Sequence, residues 1–268
     1  MLKKYISVIK KNGFVKINNF LSKTEINKAI TLVEHHNKKS KILKLKGLPK
    51  RDKNDKMVYN LQNKNLFFIK ILSKKTVLDI GMHFLNDPYY RYLPKSKPNF
   101  NLLYYNARSS GNKLDLHIDS YVPFKGERTI MMQFVFLLED STVLNGCTTA
   151  VKGSHKSGEF SDRKSKKIIP ITGKAGDLII WDSRLWHGTL PNVNGQSRWA
   201  LVATLGMWWI KPSMNICASM KNSIYKKCTN LEKQILGFCS IPPKNEYERI
   251  NTKSNYSFLK KNILNYNF

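Results

Sequence analysis

The chain has 268 residues, 41% of them hydrophobic and 11% aromatic, enough for one domain with a substantial core. Its net charge of +28 comes mostly from lysines spread end to end among many asparagines, with only eight arginines and no compact Arg/aromatic cluster, so nucleic acid is not an expected partner, whereas an anionic small molecule is compatible with it. The longest apolar run, "IMMQFVFLL" from Ile130 to Leu138, falls far short of the roughly 20 residues of a membrane-spanning helix, which excludes membrane insertion.

The opening "MLKKYISVIKKNGF" interrupts its apolar residues with lysines, and no small-residue cleavage site follows, so a soluble cytoplasmic protein is expected. Next, "LSKTEINKAITLVEHHN" carries Ser22 and, three residues on, Glu25, the reciprocal pairing of a helix capping box. Ile26, Ala29, Ile30 and Val33 follow at helical spacing. His35 and His36 are expected to close this helix, favouring its dipole and not binding metal. The segment "NKNLFFIKILSKKTVLDIGMHFL" predicts a second amphipathic helical stretch, with His83 on its surface and no chemical role.

From Asn99 the apolar period changes from helical to two. The segments "NFNLLYYNA", "LDLHIDSYV", "TIMMQFVFLLE", "KKIIPIT", "GDLIIWD" and "RWALVATLGMWWI" are rich in β-branched and aromatic residues, with turns such as "SSGNK", "PFKGER" and "PNVNGQ" between them. Closely spaced strands of this kind predict a sandwich or barrel, not βαβ units. After Pro212 the chain turns lysine-rich and irregularly helical, a covering segment that runs to "IPPKNEYERI". The expected organisation is a single domain over 1–268, mainly β in an α+β class. Residues 1–98 give helical support, 99–210 the core and 211–268 the cover. Cys147, Cys217, Cys228 and Cys239 form no CxxC pair and suggest neither zinc nor a disulfide framework. The last three recur every eleven residues, the spacing of one helix face, and read as buried thiols.

The chemistry gathers in "LHIDSYVP" and "DLIIWDSRLWHGTLPN". If the first is a strand, His117 and Asp119 point to the same side. His187, placed at the end of a later strand before a Gly-Thr turn, supplies a second imidazole. Two histidines and one carboxylate have the composition of the facial triad that binds iron(II) and leaves three coordination positions for a bidentate co-substrate and dioxygen. Arg198 follows His187 by eleven residues, on what reads as the antiparallel neighbour strand across the "TLPNVNGQ" turn. A buried guanidinium there calls for a carboxylate partner, which a planar fork binds through two hydrogen bonds.

On these residues the sequence resembles the phytanoyl-CoA dioxygenase family of iron(II)- and 2-oxoglutarate-dependent oxygenases. The matching motifs are "HID" at 117–119, "NGCTTAVKGSHKSG" at 145–158, "GKAGDLIIWDSRLWHGTLPN" at 173–192 and "SRWAL" at 197–201, with family-like segments "NGFVKINNFLSKTEI" and "IPPKNEYERI" near the two ends. The resemblance implies a double-stranded β-helix (jelly-roll, cupin-like) core. It implies His117, Asp119 and His187 as iron ligands, Arg198 on the distal carboxylate of 2-oxoglutarate, and Thr189 and Tyr104 as further polar contacts to that co-substrate. It also implies a reaction with O2 that hydroxylates an aliphatic C–H bond of a small metabolite and releases succinate and CO2. Related halogenases carry a small residue in place of the carboxylate, so Asp119 favours hydroxylation. One departure is Lys152, where the family often has proline.

Other polar residues have plainer roles. His155 reads as a turn-stabilising residue, and Asp177 and Asp182 as acceptors for backbone donors beside a strand. The five tryptophans, Trp181, Trp186, Trp199, Trp208 and Trp209, read mostly as core, with one or two forming an aromatic wall above the metal. Two rival functions stay in view. One is an oxygenase that demethylates nucleic acid or protein, suggested only by the charge; the other is a non-catalytic β-barrel that binds a small molecule.

Overall fold

Asn99 opens the main run of strands, but the stretch before it is not purely helical, because short strands at 14–17 and 56–58 already belong to the larger sheet. A computed structural model describes residues 1–40, 56–90, 93, 95–109, 111–159 and 168–241. The described elements are α1 (Leu2–Asn12), β1 (Phe14–Ile17), α2 (Lys23–Ser40), β2 (Lys56–Val58), α3 (Leu66–Leu72), α4 (Lys75–Leu85), β3 (Phe100–Ser109), β4 (Leu114–His117), β5 (Met131–Leu137), β6 (Thr148–Val151), β7 (Ile168–Ile171), β8 (Leu178–Asp182), β9 (His187–Thr189), β10 (Ala200–Met207), α5 (Ile216–Ser219), α6 (Asn222–Tyr225) and α7 (Asn230–Ile235). None of these helices is long and apolar enough to cross a membrane.

The strands form two sheets, one in the order β1-β8-β5-β10-β3-β2 and one in the order β4-β9-β6-β7. From β3 onward the chain passes repeatedly between them, placing β3, β5, β8 and β10 in the larger sheet and β4, β6, β7 and β9 in the smaller. This is the double-stranded β-helix, or jelly roll. The two inner faces meet in one apolar cluster, with Val135, Leu137, Ile179, Trp181 and Ala200 from the larger sheet against Ala150 and Ile171 from the smaller. Every residue of β5 is buried, so both its faces are covered, and that is why its sequence is a continuous apolar run without alternation.

The chain divides into two compact units. The first comprises Met1–Asn60 and Tyr105–Ala203. In it α1 ends at Gly13, whose φ of +86° lets its N–H reach back to the Ile9 carbonyl, and β1 then pairs with β8. The capping box of α2 is present, with Ser22 N–H donating to Glu25 Oε2 at 2.9 Å and Glu25 N–H to Ser22 Oγ at 3.2 Å. Ala29 and Val33 are fully buried, as their spacing predicts. The helix runs on to Ser40, so His35 and His36 lie within it and do not end it.

The second unit comprises Leu61–Tyr104 and the described part of Thr204–Phe268. The stretch expected as one helix is two, because Ser73 caps α3: its N–H returns to Ile69 and its hydroxyl donates to the Ile69 carbonyl at 2.8 Å. Lys74 is then extended before α4 begins. Gly81 of α4 lies so close to the Phe100 ring that any β-carbon there would collide with it. Beyond β10 the cover is three short helices, and α7 is held by a Thr229–Glu232 capping box whose glutamate also pairs with Lys70 at 2.8 Å. Cys217, Cys228 and Cys239 do not share a helix face: the first lies on α5 and the others follow α6 and α7. All four cysteines are free thiols. The segment "PPKNEYERI" lies outside the described residues.

Candidate metal centre

Antiparallel pairing of β4 with β9 sets His117 directly opposite His187, their rings 4.3 Å apart. Strand alternation does not carry Asp119 to the same place, because β4 ends at His117. Asp119 instead sits in the following turn, stapled to the chain after β8 by two backbone bonds: Asp119 N–H and Ser120 N–H both donate to the Ser183 carbonyl, at 2.8 and 3.1 Å. The turn folds the carboxylate back between the imidazoles, Oδ1 lying 3.8 Å from His117 Nε2 and Oδ2 3.4 Å from His187 Nε2. One ligand atom from each of the three residues falls within 4.8 Å of the others.

The hydrogen-bond pattern decides which ring nitrogens face inward. His117 Nδ1 lies 2.9 Å from the Asp115 carbonyl and His187 Nδ1 2.9 Å from the Leu185 carbonyl. A carbonyl oxygen can only accept, so both Nδ1 atoms donate and each ring is oriented with its Nε2 toward Asp119. Burial lowers the pKa of His187, outweighing the opposing pull of Asp119, and so favours the neutral ring. Two imidazole nitrogens and a carboxylate converging on one point form a donor set that fits a divalent transition metal.

Arg198, Thr189 and Tyr104 lie outside that triad. β9 and β10 are not hydrogen-bonded neighbours, contrary to the reading of the "TLPNVNGQ" turn: β9 pairs with β4 and β6, and β10 lies in the larger sheet between β5 and β3. Arg198 lies just before β10, its backbone N–H bound to Ser109 Oγ at 3.1 Å and its charge acting on the Cys147 thiol. His187 opens β9 and Gly188–Thr189 continue it, so no turn follows the histidine at once. Thr189 Oγ1 accepts from Leu114 N–H at 3.0 Å and donates weakly to the Asn112 carbonyl at 3.4 Å. Tyr104 is half-buried on β3.

The remaining polar residues have structural partners. His155 is buried against Gly13, its Nε2 3.3 Å from the Lys10 carbonyl, in the turn that it was expected to stabilise. Asp177 accepts from the backbone N–H groups of Asn19 and Lys174. Asp182 accepts from the Arg184 N–H and, beyond that expectation, holds the Arg184 guanidinium in a buried ion pair. Among the tryptophans, Trp181 flanks the triad, its ring 4.9 Å from that of His187 and its Nε1–H donating to Asp119 Oδ2 at 3.1 Å. Sequence reasoning left its role open: "IIWDSR" shows an inward-facing tryptophan, but not the turn that brings Asp119 to it.

A family profile described as Phytanoyl-CoA dioxygenase (PhyH) matches residues 9–200. The chain is 25% identical over 242 residues to "Dioxygenase af480" of Aspergillus fumigatus, a match covering 87% of this chain and 76% of that one. Several further relatives match over less than half of their own length. Its fold resembles that of HygX from Streptomyces hygroscopicus, solved with nickel and 2-oxoglutarate bound, at a TM-score of 0.61 and 14% identity over 78% of this chain and 88% of that one. It also resembles the α-ketoglutarate-dependent epimerase SnoN of nogalamycin biosynthesis, at a TM-score of 0.58 and 14% identity over 83% and 90%.

Proposed function

This chain belongs to the phytanoyl-CoA dioxygenase family of iron- and 2-oxoglutarate-dependent enzymes, and we propose from that premise that it hydroxylates an aliphatic C–H bond of a small anionic metabolite. The observation that carries the metal assignment is the convergence of His117 Nε2, His187 Nε2 and the Asp119 carboxylate, with both Nδ1 protons already committed to backbone carbonyls. In this reading those three residues hold iron(II), and Asp119 offsets one of its two charges.

Arg198 supplies a planar fork for the far carboxylate of 2-oxoglutarate. Thr189 adds a hydroxyl proton, since its 3.4 Å bond to Asn112 is the weaker of its two and the one a bound carboxylate would replace. Tyr104 contributes a phenol to the same co-substrate. When bound, the iron(II)–2-oxoglutarate pair supplies the oxidising power, one oxygen atom of O2 leaving in succinate, with loss of CO2, and the other in the hydroxylated product. The excess of lysine supports an anionic substrate.

The test is succinate release with iron(II) and 2-oxoglutarate across a panel of anionic metabolites, run beside His117→Ala and Asp119→Ala. Loss of turnover in both variants and a product heavier by one oxygen are expected. Equal turnover in the variants would overturn the metal assignment, and a product of unchanged mass would point to epimerisation, the activity of SnoN.

A further inference from the structure

The Asp119 carboxylate has an unusual setting for a charged ligand. It lies in a turn, its side chain 18% exposed, with the two imidazole Nε2 atoms 3.4 and 3.8 Å from its oxygens. Among the described residues its one side-chain hydrogen-bond donor is the indole of Trp181, at 3.1 Å. Resting on the metal assignment above, we propose that Trp181 is a positioning residue for the metal centre: its indole N–H holds the Asp119 carboxylate in the orientation that receives the cation before the cation arrives.

The donor is held in the core of the larger sheet. Trp181 sits on β8, between β1 and β5, with Phe14 and Gln133 as its cross-strand partners. Its ring is 5% exposed, enclosed by the inner-face cluster that includes Val135, Leu137, Ala150 and Ile179. The same ring packs against His187 at 4.9 Å, so one side chain touches two of the three converging groups. An indole is also neutral: it orients the carboxylate without cancelling the charge that draws the metal, as a lysine or arginine there would. A purely apolar role in the core would require only the ring, which phenylalanine largely supplies, so the N–H is the part that distinguishes the two roles.

The experiment is a Mn(II) titration of the metal-free protein, read by the electron paramagnetic resonance signal of free Mn(II). It compares wild type, Trp181→Phe, Asp119→Ala, and Trp181→β-(3-benzothienyl)alanine, which keeps the bicyclic shape and replaces the N–H by sulfur. Loss of an outer-shell partner typically weakens metal binding by about 10- to 100-fold, and that loss is expected in both Trp181 variants. The urea midpoint of the metal-free benzothienyl variant should match that of wild type, and its succinate release should recover at high iron(II), with an unchanged KM for 2-oxoglutarate. Mn(II) binding as tight as that of wild type in the benzothienyl variant would overturn the positioning role and leave the metal assignment standing, provided that Asp119→Ala abolishes binding. Failure of wild type itself to bind Mn(II) would overturn both.

Discussion

Arg184 and Asp182 form a buried pair, their side chains 3% and 2% exposed, whose strength can be measured. The guanidinium reaches both carboxylate oxygens, Nε to Oδ1 at 3.0 Å and Nη2 to Oδ2 at 2.8 Å, and its remaining nitrogen donates to the Gly126 carbonyl at 2.7 Å. It also lies 4.7 Å from the centre of the Phe124 ring, and the Thr129 hydroxyl donates to Asp182 at 2.7 Å. The pair thus ties the end of β8 to the chain that follows the Asp119 turn. Arg184→Met strands a buried carboxylate with only the Thr129 hydroxyl and one backbone N–H, a defect that costs about 3–5 kcal/mol. The Gly126 carbonyl adds little, because Gly126 is exposed and water can replace the lost donor. At an unfolding slope of about 3 kcal/mol per molar urea, a loss near 4 kcal/mol moves the midpoint by roughly 1.3 M. Adding Asp182→Asn removes the stranded charge while keeping a side-chain acceptor, so the double variant should recover about 2 kcal/mol of the loss. Urea unfolding followed by tryptophan fluorescence measures all three proteins. A single variant within about 1 kcal/mol of wild type, or a double variant less stable than the single, would refute this account of the pair.

Three further outcomes follow from the same structure. Gly188→Ala would press a β-carbon against the Leu114 carbonyl and push β4 off β9, separating His117 from His187; a drop in Mn(II) affinity of about 10-fold or more is expected, and unchanged affinity would count against the cross-strand geometry. Burial lowers the pKa of both His155 and His187 from the ordinary 6.5, so the folded chain keeps them neutral where the unfolded chain takes up protons. Metal-free stability should accordingly hold above pH 6.5 and fall as the pH drops below it, and His155→Asn should flatten the fall in urea midpoint; a profile unaffected by the substitution would exclude His155 as a contributor. Burial raises the Cys217 and Cys239 thiols to about 12 and the Cys228 thiol to about 11, and raises Cys147 against the pull of Arg198. A thiol-disulfide reagent at mild pH should therefore find the buried Cys147, Cys228 and Cys239 only after unfolding and the half-buried Cys217 slowly, and rapid labelling of the first three in the native protein would contradict their burial.

Much of the fold was legible because local chemistry specifies it. The Ser22–Glu25 capping box needs only residues three apart, and the short runs of apolar, β-branched and aromatic residues around β3, β5, β7, β8 and β10 mark strands directly. The elements that escaped are those whose signal is short or comes from elsewhere. β6 and β9 span four and three residues, too few for alternation to declare itself, and β9 is a strand because β4 and β6 flank it. The break at Ser73 was hidden because the apolar period continues across it.

The sequence by itself determined the chemistry available to this protein: two imidazoles, a carboxylate and an arginine carried in family-specific motifs, and a jelly roll to present them. Tertiary structure alone decided how they meet. Asp119 reaches the imidazoles by a turn bonded to Ser183 and not by continuing a strand, the strand after Arg198 lies in the other sheet from β9 and not beside it, and Trp181 supplies the hydrogen bond that orients the carboxylate. The physical reason is range. Strand period and helix caps are set by residues within a few positions of one another, whereas a ligand cluster depends on which distant segments share backbone hydrogen bonds across and between the sheets.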